Sequence, residues 1–312
     1  RFKGIGFDKY FEAVLGKFIG KATSLLYALY LLFVYILTLL IAVVFISVFI
    51  LPDTSLWVIL LFLTVPTAYL AYQGVGVLGR MASFIVPYVL LTIIVFLLLG
   101  ISSVDLQILQ PILADSKLIT INLGAFYTGS KISEVLIFIV FSEYIFEKTN
   151  VNKTITLSLA LFTGFFVLMV LPTLSVLGID IAKHAWNPYY LYTRQVRAYE
   201  FIQRVESLNA LGWLMGILLR LAVFNFMTSY VVMGITKNKN FKIAVPIVSV
   251  IGFIVAYMPF LNKSNTLDNL RSNQLIAWAT LPFTVGIPIV IIIIYYIKKK
   301  SIDKKIMQLN KE

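Results

Sequence analysis

Apolar runs of about 20 residues recur along the chain, separated by short stretches rich in Pro, Gly and charge. A helix rises about 1.5 Å per residue, so each run is long enough to cross about 30 Å of hydrocarbon. The pattern predicts eight spans: A over 22–51, B over 56–72, C over 84–101, D over 126–145, E over 154–177, F over 208–235, G over 243–261 and H over 275–297. Leu51-Pro52-Asp53-Thr54-Ser55 between A and B is typical of the connections. Two stretches outside the spans have the spacing of amphipathic helices lying at a membrane surface or over a cavity. One is 7–20 (FDKYFEAVLGKFIG). The other lies within 178–207, where Tyr199, Ile202, Val205 and Leu208 fall on one side with Arg197, Glu200 and Arg204 between them. The fold class expected is an all-α polytopic membrane protein.

Composition agrees. Of 312 residues, 60% are hydrophobic and only 13% charged, against about 25% charged in an ordinary soluble domain. The net charge of +12 would suit a nucleic-acid partner if the basic residues lined one surface. They cluster instead in short loops, as the positive-inside rule requires. With the N-terminus inside, the inner segments carry 17 Lys and Arg and the outer ones 7. Both termini are therefore expected in the cytoplasm, and no nucleic acid is expected as a partner. A single membrane domain is read over 1–312. It comprises a cytoplasmic amphipathic segment (1–21), spans A–C (22–101), an outer loop (102–125), spans D–H (126–297) and a basic cytoplasmic tail (298–312). Lys298-Lys299-Lys300 reads as a stop signal capping span H, with contact to anionic membrane lipid as the alternative. The chain starts at Arg1 without a signal-peptide pattern and is expected to be a fragment or a processed chain.

Several motifs weaken on inspection. Gly74-Val75-Gly76-Val77-Leu78-Gly79 matches G-x-G-x-x-G, but it joins two membrane spans, where the nucleotide motif needs a strand and a βαβ unit. A tight inner turn is expected there. There is no Cys, and His184 is the single His, so no metal site is expected and a surface role suits His184. No nucleophilic triad, HExxH or P-loop is present, and neither enzymatic activity nor a cofactor is expected. Tyr27, Tyr30 and Tyr35 on span A fit an interfacial aromatic belt, or the lining of a solute cavity.

Ionisable residues at membrane depth carry more information, since each costs about 2.5–3.5 kcal/mol on insertion scales. Lys131 and Glu134 lie three apart in span D, where one helical face would let them pair. Asn122-Leu123-Gly124-Ala125-Phe126-Tyr127-Thr128-Gly129-Ser130 precedes them, a stretch of weak helical commitment. A span starting only at Ile132 would be short for a bilayer. A broken helix exposing backbone to a solute is the reading that fits. Arg220 lies midway along span F, too deep to snorkel, and needs a carboxylate; Glu134 is the first candidate and Glu143 the second. Asn225, Thr228 and Ser229 add polar groups on F, either as solute contacts or as interhelical glue.

The sequence resembles the spore germination permeases, the B-type subunits of GerA-type germinant receptors, within the amino acid–polyamine–organocation (APC) superfamily. The likeness rests on Leu15-Gly16-Lys17-Phe18-Ile19-Gly20-Lys21 running into Leu26-Tyr27-Ala28-Leu29-Tyr30, on Leu51-Pro52-Asp53-Thr54 with Trp57-Val58-Ile59, and on Gly79-Arg80-Met81-Ala82 leading to Pro87. The most specific stretch is Phe201-Ile202-Gln203-Arg204-Val205-Glu206-Ser207-Leu208 with Trp213, preceded by Asn187-Pro188-Tyr189. The resemblance covers nearly the whole chain. It implies a bundle of two inverted five-span repeats, N-terminally incomplete here because the family's first two spans lack counterparts. D would be the family's sixth span, broken at the solute site. Gly129 and Glu134 fall where the family has Gly and Glu, and Arg220 where it tends to be basic. Lys131 departs from a mostly apolar or small position.

The implied function is a permease-like germinant-receptor subunit of the cell or inner spore membrane. It would bind a small nutrient, an amino acid, and signal through A- and C-type partner subunits. The expected ligand-binding residues are Thr128, Gly129, Ser130, Lys131, Glu134, Tyr30 and Asn225, with Arg220, Glu134 and Glu143 holding or gating the polar interior. The alternative is a secondary amino acid transporter, a proton- or cation-coupled symporter.

Overall fold

The computed structural model describes residues 6–110, 117–130, 133–144, 150–196, 205–236, 238, 240–261 and 273–309. Among the described residues the secondary structure is helical throughout. Seven helices are long and apolar enough to cross a membrane, so the chain is an all-α polytopic membrane protein. The apolar runs become helices because a backbone in hydrocarbon must satisfy its polar groups within the segment.

Contacts divide the chain into two compact units. The first comprises Arg1–Leu78, Leu118–Glu147 and Arg220–Glu312. Its helix α2 (Lys17–Phe49) is about 50 Å long by its 33 residues, so it must tilt in a 30 Å core or extend beyond it. It is also the unit's central element, with 61% of its most apolar window buried in protein. A short amphipathic helix, α1 (Phe7–Leu15), folds back on α2 through Gly16. That residue has φ +88°, a left-handed conformation that glycine adopts without steric cost. Phe7 and Phe11 on α1 are buried, and their rings meet Tyr27 of α2 at 5.4 and 5.3 Å.

Helices α3 (Leu56–Gln73) and α11 (Ala244–Leu261) pack on α2 and on each other. The close approach of α2 and α11 depends on Gly252, which has no side chain to obstruct the Tyr35 ring. Other members of this unit are α5 (Leu118–Ser130), α6 (Leu136–Val140), α12 (Asn273–Leu281), α13 (Ile287–Ile297) and α14 (Lys299–Leu309). A single π-helical turn, Pro282–Gly286, joins α12 to α13.

The second unit comprises Gly79–Lys117 and Lys148–Leu219. It holds most of α4 (Val75–Gly100), with α7 (Val151–Leu177), α8 (Ile179–His184) and α9 (Pro188–Gln195). Its core is Phe96, Leu177, Ala182, Tyr192 and Val196. Burial raises the Tyr192 hydroxyl's pKa, and this protonated hydroxyl donates to the Phe96 carbonyl at 2.8 Å. Helix α10 (Glu206–Ile235) begins in this unit, and its residues from Arg220 onward belong to the first.

Three sequence expectations are corrected. The loop expected over 73–83 is a one-residue turn: Gly74, at φ +87°, ends α3, and α4 starts at Val75 rather than at 84. One glycine in the left-handed region reverses the chain, so the loop's other residues stay helical. The loop expected over 102–125 is partly structured, with 3-10 turns at Ile101–Ser103 and Leu106–Leu109 and helix from Leu118. The stretch Asn122–Ser130 is helical despite its glycines. It packs on α12, and tertiary contact overrides weak local propensity. Within 178–207, α8 and α9 precede the segment containing Tyr199 and Ile202, and those two lie outside the described residues.

Candidate functional site

Span D, expected over 126–145, is not one helix. α5 ends at Ser130, a 3-10 turn covers Ser133–Val135, α6 has five residues, and a second 3-10 turn covers Phe141–Tyr144. Leu136 and Val140 anchor α6 with 1% and 0% exposure, and Phe141 meets Phe226 of α10 at 5.4 Å. These apolar contacts hold the 3-10 turn in place and with it Glu134.

Glu134 Oε1 lies 2.7 Å from Arg220 Nε. The N–H is not aimed along that line, so the contact is an ion pair rather than a well-aligned hydrogen bond. The side chains are 42% and 36% exposed, which leaves the pair reachable from outside the protein. Arg220 Cζ also lies 5.5 Å from the Phe224 ring centroid. Two opposite charges at membrane depth are far less costly together than apart. This pair therefore links the broken segment to α10 and keeps a polar, accessible spot beside a helix break.

The other expected residues are distributed around it. Thr128 is exposed, and its hydroxyl donates to the Gly124 carbonyl at 2.9 Å. Gly129 is exposed near the end of α5, and a Cβ there would meet no heavy atom within 4 Å. Ser130 is the last residue of α5. Lys131 lies outside the described residues. Glu143 accepts a hydrogen bond from the Tyr230 hydroxyl and is not Arg220's partner. Asp8 of α1 stands close to this second carboxylate: a Cβ on Gly6 would lie 3.2 Å from Asp8 Oδ1 and 3.5 Å from Glu143 Oε2.

Two expected ligand residues sit in packed surroundings. Asn225 has no exposed surface. Its amide donates to Ser249 of α11 at 2.7 Å, and its oxygen accepts from Ser229 at 3.3 Å. Five residues from Arg220 turn it about 140° around α10, away from the ion pair. Tyr30 is 3% exposed and stacks on Phe283 of the π turn, with centroids 4.3 Å apart and planes within 13°. Neither Tyr27 nor Tyr35 belongs to an interfacial belt, since they are 1% and 0% exposed. Tyr27 donates to the Phe283 carbonyl at 2.8 Å, and the Tyr35 ring packs against Gly252 of α11. The sequence held the signal for the Tyr27 and Tyr30 contacts in their three-residue spacing on a very long span, which is more consistent with one buried face than with a belt.

His184 is exposed, and its Nδ1 lies 2.8 Å from the Asp180 carbonyl. No group of three or more His, Cys, Asp or Glu suited to a metal ion occurs among the described residues.

Comparison with known proteins gives this geometry a family. The model of the spore germination protein family, a permease family, matches residues 2–265. Spore germination protein KB of Bacillus subtilis (strain 168) is 23% identical over 304 residues, covering 95% of this chain and 80% of that protein. The provisionally named spore germination protein YfkT of the same organism is 23% identical over 286 residues, covering 91% of this chain and 76% of its own length. No solved structure matches the chain. The seven apolar helices and the family match thus converge: the chain is an integral membrane protein belonging to the spore germination protein family.

Proposed function

We propose that this chain is a germinant-receptor subunit that binds a small nutrient, an amino acid, within the membrane and passes the event to A- and C-type partner subunits in the cell or inner spore membrane. Both termini face the cytoplasm in this reading. The observation that carries it is the Glu134–Arg220 pair, 2.7 Å apart and partly exposed, beside the discontinuity of span D. An amino acid presents one carboxylate and one ammonium. It matches a site holding one cation and one anion, with helix-end backbone groups at Gly129 and Ser130 adding hydrogen-bond partners. Thr128 adds a hydroxyl to the polar lining, and Lys131, next in sequence after Ser130, adds a cation in this reading. Asn225 ties α10 to α11 through Ser249 rather than reaching the ion pair, Tyr30 is packed on Phe283, and the Glu143–Tyr230 contact holds the cytoplasmic end of the segment. Binding would act by favouring one state of the bundle over another, which requires different ligand affinities in the two states.

The test replaces Glu134 and Arg220 by Gln, singly and together, at matched protein level. Each single variant is expected to lower nutrient-triggered germination at least tenfold and to abolish the stabilisation that the effective amino acid gives the purified protein. Unchanged responses in both single variants would refute the site. Coupled uptake of labelled amino acid by this chain alone in proteoliposomes would replace the sensor with a symporter.

A further inference from the structure

A groove of about 570 Å³ lies in the first unit, apart from the ion-pair site. Its walls are the end of α1, the start of α2, the π turn and α13. Leu15, Ile19, Gly286, Val290 and Ile294 are among its lining residues. The volume is typical of a small-molecule site, but the chemistry is not that of a polar ligand. Among the described lining residues the one polar side chain besides Lys298 is Thr23, whose hydroxyl already donates to the Ile19 carbonyl at 2.9 Å.

Lys298 stands at one end, where the last span finishes and helix α14 begins with Lys299 and Lys300. The acidic residue of that helix, Asp303, accepts a hydrogen bond from the Tyr295 hydroxyl at 3.0 Å, which ties its charge to the protein. From Lys298 to Pro282 the lining extends 16 residues, about 24 Å along the helix. One leaflet of a 30 Å hydrocarbon core is about 15 Å deep. The groove is therefore long enough for an acyl chain, apolar along its length and cationic at its headgroup end.

We infer that this groove is a binding site for one anionic phospholipid, its acyl chain lying along α13 and its phosphate at Lys298. A lysine near a membrane surface changes anionic-lipid affinity about fivefold, so anionic headgroups are selected by charge while the groove selects for a chain. The π turn shapes the wall at Gly286: its φ of −61° suits any residue, and a Cβ there would meet its nearest heavy atom, the Leu281 carbonyl oxygen, only at 3.9 Å. A larger side chain at 286 would fill the groove without distorting the helix.

The experiment uses the full chain in mild detergent, exposed separately to phosphatidylglycerol, phosphatidylcholine and glycerol phosphate, with bound molecules counted by native mass spectrometry. One phosphatidylglycerol is expected, retained at least fivefold over phosphatidylcholine, with glycerol phosphate not retained. Lys298→Gln should reduce that preference about fivefold, and Lys305→Gln, on α14 and outside the groove, should leave it unchanged. Gly286→Leu should abolish retention of both lipids; Val290→Trp, at a half-exposed lining position, carries the same test if Gly286→Leu does not fold. Equal retention of the two phospholipids, retention of glycerol phosphate alone, an equal effect of Lys298→Gln and Lys305→Gln, or full retention by the folded groove-filling variant would each overturn the inference.

Discussion

Gly20 sets how closely α1 lies on α2, and replacing it with Ala tests that contact. A Cβ at Gly20 would fall 2.7 Å from both the backbone N and the Cα of Glu12, and 2.8 Å from the Phe11 carbonyl carbon. Non-bonded carbons rest at about 3.5–4.0 Å, so the shortfall is about 1 Å. The obstacle is backbone, which cannot swing aside as a side chain can. α1 would have to move about 1 Å while Phe7 and Phe11 remain buried against Tyr27. Overpacking of this kind costs about 1–3 kcal/mol, whereas Gly to Ala in an unobstructed helix gains up to about 1 kcal/mol. Gly79→Ala supplies that reference, since no heavy atom lies within 4 Å of its would-be Cβ. Thermal unfolding of both variants in detergent separates the two contributions. Gly20→Ala should melt at least about 2 °C below Gly79→Ala, by the scaling for large domains. If the two variants melt together, or if Gly20→Ala is the more stable, α1 does not rest on Gly20 as described.

Two further predictions concern buried polar contacts. Asn225→Ala removes the donor to Ser249 and the acceptor for Ser229 inside a dry helix contact; it should cost about 1–3 kcal/mol of stability, measured by unfolding in detergent, and a neutral result would show that α10 and α11 do not depend on it. Tyr192→Phe should cost about 1 kcal/mol at pH 7 by losing the bond to the Phe96 carbonyl. Burial raises the folded-state pKa of Tyr192 above its ordinary value of 10, so its contribution is fully present below pH 10 and declines above it. The deficit of the Phe variant should therefore shrink in alkaline buffer, and a deficit that grows above pH 10 would contradict the assignment.

Most of the membrane architecture was legible in the sequence because hydrocarbon imposes a length and a polarity on each span. B, E, F, G and H lie within three residues of their helices, and A starts five residues early, because α2 runs on directly from the turn at Gly16. The exceptions have local causes. Span C begins nine residues early, since hydropathy does not reveal that one left-handed glycine can make the whole turn at Gly74. Span D failed as a single helix for the reason that made it interesting, its polar residues and short apolar remainder. At the site, Glu134 and Arg220 could be paired from sequence because charges in hydrocarbon need partners. The position of Asn225 could not be read, since helical spacing shows that it turns away from Arg220 but not that Ser249 waits opposite. The groove at Lys298 was legible only as a basic tail; its apolar walls come from α1, α2 and α13, far apart in sequence.

The turn at Pro282–Gly286 has a consequence for length variation. A π turn accommodates one residue more than an α-helical turn, and residues advance about 100° each around an ordinary helix. Removing one residue from 282–286 would restore a regular helix while keeping α12 and α13 in their present angular register. The same deletion in the middle of α2 would rotate everything beyond it by about 100° and present its buried face to lipid. The last span is thus the place where this chain could lose a residue and keep its faces, at the cost of the wide turn that brings Phe283 to Tyr27 and Tyr30.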